Sequence, residues 1–352
     1  GRSVDFSISS ASETFTMAAT TTPRDLELQL QLLAAALTDP GYRPEGEYQY
    51  RRNVQNFFAR LDATPENAVS NALGGIISDN DPRFSLQPLA DYLDQSFEDL
   101  RAAIGDRLQN GALELALVGD FEEEQAIELV ARTLGALPVR EAEFRSYEEN
   151  RTRTYTADRT RRIVYHSGAS DQALVRLSWP TRDDSHFEEV MRLELLERVM
   201  RLELIDSLRE ELGQTYSPSV SATQSRTWRG YGQFAIAAAV ETAQVLPARD
   251  AMLDAVRELI EQPVDEDVLL RARKPLLESY DNALKSNSGW MGLVSRAQTQ
   301  PERIERFLAA KATLAAITAK DLQQVAARYL APDQPLEVIA LPREAEEAVD
   351  PI

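Results

Sequence analysis

Ser96-Phe97-Glu98-Asp99-Leu100 opens a helical stretch that runs to Leu108 and is followed by the apolar run Leu113 to Val118. The same plan returns at Thr318-Ala319-Lys320-Asp321-Leu322, which runs to Leu330 and is followed by Leu336 to Leu341. Asp99 and Asp321 lie 222 positions apart. A second pair of landmarks keeps that spacing to within one residue: Leu37-Thr38-Asp39-Pro40 ends one leucine-rich helix, and Ile260-Glu261-Gln262-Pro263 ends another, 223 positions on. Two distant landmarks with one offset mark an internal repeat.

In the first copy, Ser3 to Thr20 alternates partially and predicts one or two strands. Thr22 as N-cap, Pro23 at the first helical position and the stripe Leu26, Leu30, Leu33, Leu37 predict a helix, with a second over Glu45 to Leu61. Ala112 to Val118 reads as a buried strand ending in the turn Gly119-Asp120. The acidic run Glu122 to Glu124 then starts a helix with the stripe Ile127, Val130 and Leu134, stopped at Gly135. Gly74-Gly75 reads as a turn.

Between Val139 and Thr160, ten of 22 residues are charged and apolar periodicity lapses, the pattern of an exposed linker. Strands are predicted at Arg162 to His166, Ala173 to Trp179, Tyr216 to Ser225, Gly230 to Glu241 and Leu336 to Leu341. Helices are predicted from Ser185 toward Arg209, with Phe187, Met191, Leu195, Val199 and Leu202 on one face, and over Pro247 to Gln262, Asp265 to Lys285 and Thr318 to Leu330. The expected fold class is α/β of the α+β sandwich type: two homologous domains, each a mainly antiparallel sheet packed against helices. The division is 1–138, a linker at 139–160, and 161–352. The second copy begins near Arg161, so by the offset the first is expected to be truncated at its N-terminus by about 60 residues, the counterpart of two strands and a long helix. A start at Gly1-Arg2-Ser3 fits a processed product or an excerpt.

The 352 residues carry 38 Lys plus Arg against 57 Asp plus Glu, a net charge of −19 that argues against nucleic acid as the partner. No cysteine occurs, which excludes disulfides, thiolate metal sites and a cysteine nucleophile, and fits periplasm and cytoplasm alike. Apolar runs such as Phe234 to Val240 are too short to span a bilayer, so a soluble protein is expected.

The two histidines are His166 and His186. A catalytic zinc normally takes three protein ligands, often two histidines at helical spacing. His186-Phe187-Glu188-Glu189-Val190 approaches such a motif and lacks the second histidine, so no metal ligands are expected in this chain. Phosphate-loop, dinucleotide and nucleophile-elbow motifs are absent. Leu208-Arg209-Glu210-Glu211-Leu212-Gly213-Gln214-Thr215-Tyr216-Ser217 stands out, because a long helix ends in a glycine turn and delivers a tyrosine to the next strand. Arg209 and Tyr216 could together donate hydrogen bonds to a peptide carbonyl or an oxyanion. Equally, Arg209 could complement the helix C-terminus while Tyr216 fills a half-buried strand position.

The run Leu208 to Gly213 with Tyr216, the turn Leu117-Val118-Gly119-Asp120, and the helix pairs ending at Asp39-Pro40 and Gln262-Pro263 together resemble the insulinase/pitrilysin family of zinc metallopeptidases, whose active copy carries an inverted H-x-x-E-H motif. The resemblance implies paired domains facing across a closed peptide chamber, with zinc in the first domain of four and an Arg…Tyr pair supplied by the last. On it, Arg209 and Tyr216 contribute to substrate binding and transition-state stabilisation, opposite a zinc bound outside this chain. The sequence departs from the active pattern: H-x-x-E-H is missing, and Tyr48 to Phe58 offers Asn53, Gln55 and Asn56 but no glutamate for the third ligand. The resemblance therefore implies the non-catalytic C-terminal half of a zinc metalloendopeptidase, inactive by itself. Its partners are a peptide or unfolded-protein substrate and a zinc-bearing N-terminal half or partner subunit, and the periplasm is favoured over the cytoplasm. The alternative is a zinc-free peptide-binding or scaffolding subunit of the same family. A zinc enzyme built on His166 and His186 is a third class, which stoichiometric metal in the isolated chain would reveal.

Overall fold

The computed structural model describes residues 1–212 and 218–347. In chain order the elements are β1 (Ser7–Ser10), β2 (Phe15–Ala18), α1 (Leu26–Thr38), α2 (Pro44–Phe58), α3 (Pro65–Ile77), α4 (Leu89–Leu93), α5 (Phe97–Asn110), α6 (Glu123–Arg132), β3 (Arg162–His166) and β4 (Gln172–Thr181). There follow α7 (Phe187–Leu212), β5 (Ser219–Gln224), β6 (Gly232–Glu241), α8 (Val245–Glu261), α9 (Glu266–Ala283), α10 (Asn287–Val294), α11 (Glu302–Ala316), α12 (Ala319–Tyr329), β7 (Leu336–Pro342) and α13 (Glu344–Glu347). The fold is mixed α and β, with mainly antiparallel pairing. The described chain divides into two compact units, each discontinuous in sequence. One comprises Gly1–Gln55, Leu89–Glu148 and Ala283–Ile304; the other comprises Asn56–Pro88, Glu149–Asn282 and the described residues from Glu305.

The second unit is built on a five-stranded sheet of order β3-β7-β4-β6-β5, parallel between β3 and β7 and antiparallel elsewhere. β4 explains the layering. Its side chains alternate between faces, so Ala173, Val175, Leu177 and Trp179 enter the main core with α7, α8 and α12, while Leu174 joins a smaller cluster on the opposite face. Leu177 lies opposite Ile236, Trp179 opposite Phe234, and Val175 opposite both Ala238 and Ile339. The opposite face is covered by α3 through Val69, Leu73, Ile76 and Ile77, and by Tyr155, Trp228 and Tyr231.

That cover comes from sequence that reads as a turn and a linker. α3 has a regular start, with Thr64 accepting from the Asn67 N–H at 3.2 Å and Pro65 in the first turn, yet it contains Gly74-Gly75. The Phe84 carbonyl passes 2.0 Å from where a Cβ on Gly74 would stand, so the glycine lets the following loop close onto the helix. The charged run after Val139 is not wholly exposed either: Thr156 is buried, its N–H donates to the Ile77 carbonyl at 2.7 Å, and the Tyr155 hydroxyl donates to Ser178 Oγ at 3.1 Å. Arg153 lies over the rings of Phe84 and Tyr231, 4.0 and 4.4 Å from their centroids.

The first unit is leaner. β1 and β2 form a two-stranded hairpin, with Ile8 opposite Met17. Leu30, Leu37, Leu108, Ala126 and Leu129 are its buried apolar residues on α1, α5 and α6. Glu47 on α2 accepts from the Phe97 N–H at 3.1 Å and thereby also caps α5. The two repeat landmarks share one geometry: the Asp99 N–H donates to Ser96 Oγ and the Asp321 N–H to Thr318 Oγ1, both at 3.2 Å, and each aspartate accepts in return from its cap residue's N–H. One expectation is corrected here. Ala112 to Val118 belongs to no sheet among the described residues, and Leu113 is 46% exposed rather than buried. α6 turns Ala126 and Leu129 inward and leaves Ile127 61% exposed, because nothing described packs over the Ile127 face.

The contrast between the units is testable. Leu177→Ala should cost about 2–5 kcal/mol in urea unfolding, since it opens a cavity in the core between the sheet and its helices. Leu113→Ala should cost less than about 1 kcal/mol. Equal losses would mean that residues 112–118 are as well packed as β4.

Candidate functional site

Of the candidate residues, His186, Glu189 and Arg209 lie on α7 or directly ahead of it. The helix is 26 residues long, about 39 Å at 1.5 Å per residue, so events at its two ends are separate. Its middle is fastened to the sheet. Glu197 accepts from the Ala222 N–H at 3.1 Å and pairs with Arg201 at 3.1 Å, and Arg201 donates to the Val220 carbonyl at 2.9 Å. Leu195, Leu196, Val199, Met200, Leu204 and Leu208 are fully buried, so α7 is a fixed platform.

At the N-terminal end, Glu189 is a nearly buried carboxylate gripped from three sides. Arg328 donates to it at 3.0 Å, Arg182 at 3.3 Å, and the Tyr329 hydroxyl also donates to it. Burial would raise the Glu189 pKa, but the Tyr329 and Arg328 hydrogen bonds, with Arg182, outweigh it and hold the carboxyl below the usual glutamate range. Tyr329 is pushed up to about 12 by burial and by its bond to Glu189. A carboxylate so engaged is not poised to take a proton from water near neutrality. Arg182 is seven positions from Glu189, but Arg328 and Tyr329 come from α12, about 140 positions away, and nothing in the local sequence announced them.

The histidines do not converge. His166 ends β3 fully buried, with Nε2 on the Gln172 carbonyl at 2.8 Å and Nδ1 accepting from the Gly168 N–H at 3.1 Å. Both ring nitrogens are thus used, as expected of a strand-end residue facing a neighbour. His186 is exposed ahead of α7, with Nδ1 2.9 Å from Ser185 Oγ. Four positions on stands Val190, which offers no ligand. Among the described residues, no three His, Cys, Asp or Glu side chains group as a metal ion requires. With Glu189 already triply engaged and no second histidine at helical spacing from His186, this end of α7 does not fit a zinc ion.

At the C-terminal end, Arg209 is exposed on the last turns of α7, 3.2 Å from Asp206. Its position suits a cation at a helix C-terminus and leaves it open to a ligand. Tyr216 lies outside the described residues. No helix among the described residues is long and apolar enough to cross a membrane.

The sequence profile of the peptidase M16 inactive domain matches residues 95–276, just over half of the chain. Comparison with curated proteins gave no match. Among solved structures, a protease from Helicobacter pylori superposes with a TM-score of 0.76 at 14% identity, covering 96% of this chain and 82% of that one. The peptidase M16 inactive domain from Pseudomonas fluorescens gives 0.75 at 18% identity, covering 96% and 81%. The periplasmic protease PqqL from Escherichia coli gives 0.75 at 15% identity; 97% of this chain is covered, but it spans only 38% of PqqL. At these identities the likeness is one of fold.

Glu189 should leave a signature in the pH dependence of stability. Because its pKa is depressed by folding, its contribution is present above the unfolded value of about 4.3 and is lost as the pH falls through the native value. Glu189→Gln should therefore lower stability by about 1–3 kcal/mol at pH 7, and the gap should close on acidification below about pH 4. Urea midpoints that coincide at pH 7 would show that the three contacts contribute nothing net.

Proposed function

This chain belongs to the peptidase M16 inactive-domain family, and from that premise we propose that it is the non-catalytic C-terminal half of a pitrilysin-type zinc metalloendopeptidase. The observation that carries the reading is the state of α7. Where the inverted motif would stand, this chain has His186, Glu189 and Val190, with the glutamate neutralised by Arg182, Arg328 and Tyr329. Zinc would be held by another half or subunit, and this chain would form part of the wall of a peptide chamber. Arg209 and Tyr216 would reach the substrate there, the guanidinium holding a peptide carbonyl and the phenol donating to the oxyanion. A periplasmic home is proposed on the likeness to PqqL, described as a periplasmic protease.

The test is cleavage of a quenched fluorescent peptide library by this chain, and by the chain mixed with its zinc-bearing half, with and without chelator. Silence from the chain and chelator-sensitive cleavage on mixing support the reading. Silence in both, with measurable peptide binding, would identify a zinc-free binding subunit instead. In the active mixture, Tyr216→Phe should lower kcat roughly 10²-fold with zinc content unchanged, the loss typical of one oxyanion donor. Arg209→Ala should chiefly raise KM. Unchanged turnover in Tyr216→Phe would return that residue to a packing role.

A further inference from the structure

We propose that the Glu197–Arg201 pair on α7 guards the outer edge of β5, occupying the two backbone groups through which a second copy of this chain would pair β5 against β5. This goes beyond the functional reading and does not depend on it.

β5 ends the five-stranded sheet: it pairs with β6, and no described strand lies on its other side. Free N–H and C=O groups on such an edge invite another strand, and proteins commonly protect them with a lysine, a proline or a bulge. Ser219-Val220-Ser221-Ala222-Thr223-Gln224 has no charge and no proline, and its register with β6 runs unbroken from Ser219 opposite Ala237 to Gln224 opposite Gly232. Its exposed side chains, Ser219, Ser221 and Thr223, are small and polar. The strand itself carries no protection.

α7 supplies it. Arg201 Nη2 donates to the Val220 carbonyl at 2.9 Å and to Glu197 Oε1 at 3.1 Å, while Glu197 Oε2 accepts from the Ala222 N–H at 3.1 Å. Backbone groups alternate between the two edges of a strand, so those of Val220 and Ala222 point the same way; held by side chains of α7, they face away from β6. The two repeats match, since four helical residues rise about 6 Å and two strand residues about 6.8 Å. A carboxylate and a guanidinium one turn apart thereby stand in for the acceptor and the donor of a neighbouring strand. Val220 and Ala222 also pack their side chains against the core that α7 shares, which brings the helix over this edge.

The strand best matched to the edge is β5 itself. Two copies paired antiparallel about Ser221 would set Val220 of one opposite Ala222 of the other, so that each Val220 carbonyl accepts from the Ala222 N–H of the other copy. Those are the groups that Arg201 and Glu197 hold. The uncharged serines and threonine would bring no like charges together across the junction.

Sedimentation velocity tests this on the whole chain, in salt that screens its net charge of −19. Glu197→Ala combined with Arg201→Ala should self-associate at least about 10-fold more tightly than the unaltered chain. Adding Ser221→Lys, which would set lysine against lysine on the exposed side of the junction, should abolish that gain. Arg201→Ala by itself frees the Val220 carbonyl and keeps the Glu197 bond to β5; it should show a smaller gain, and it decides the matter if the double variant does not fold. A folded variant that associates no more tightly than the unaltered chain would overturn the proposal and leave the pair a fastening only. A gain that survives Ser221→Lys would overturn it too, because the copies would then meet elsewhere.

Discussion

The double burial of β4 is the constraint on which the second unit depends. Bonded on both edges and covered on both faces, it commits Val175, Leu177 and Trp179 to the helical layer and Leu174 to the layer beneath α3. A strand so enclosed fixes its register, because a slip of one residue would exchange every apolar side chain between two layers of different shape. β6 and β7 take their places from it, and α7 takes its place from the face it presents. Arg209 thereby inherits a defined position without making any core contact of its own.

An acidic protein with many arginines could be held by numerous weak surface pairs. Here the informative pairs are the partly buried ones. Glu197 joins α7 to β5 through a backbone N–H as well as a guanidinium, and Glu189 joins α7 to α12. The same bonds that make Glu189 a fastening make it unsuited to proton transfer.

Much of this was legible along the chain. β3 and β7 were readable from runs of apolar residues, and α12 from its parallel with the stretch at Ser96 to Leu108. α3 was not, since Gly74-Gly75 speaks for a turn in isolation and for a close backbone approach only when Phe84 is seen against it. Residues 112–118 failed in the opposite sense: their apolar pattern suits a strand, but a strand exists only by pairing. At α6, periodicity marks a stripe, while the neighbours decide which part of it is covered. At the site, the grip on Glu189 was not legible, because it arises from residues about 140 positions away.

The strand order also dictates when the molecule can assemble. β3 and β4 are separated in the sheet by β7, and β7 begins 95 positions after β6 ends. During synthesis, β4 and β6 can meet early, but the other edge of β4 stays open through the making of α8 to α12. Non-local closure of this kind is slow, and an exposed apolar edge in the meantime invites mispairing with other nascent chains. Completion of the sheet therefore waits until residue 336 has emerged.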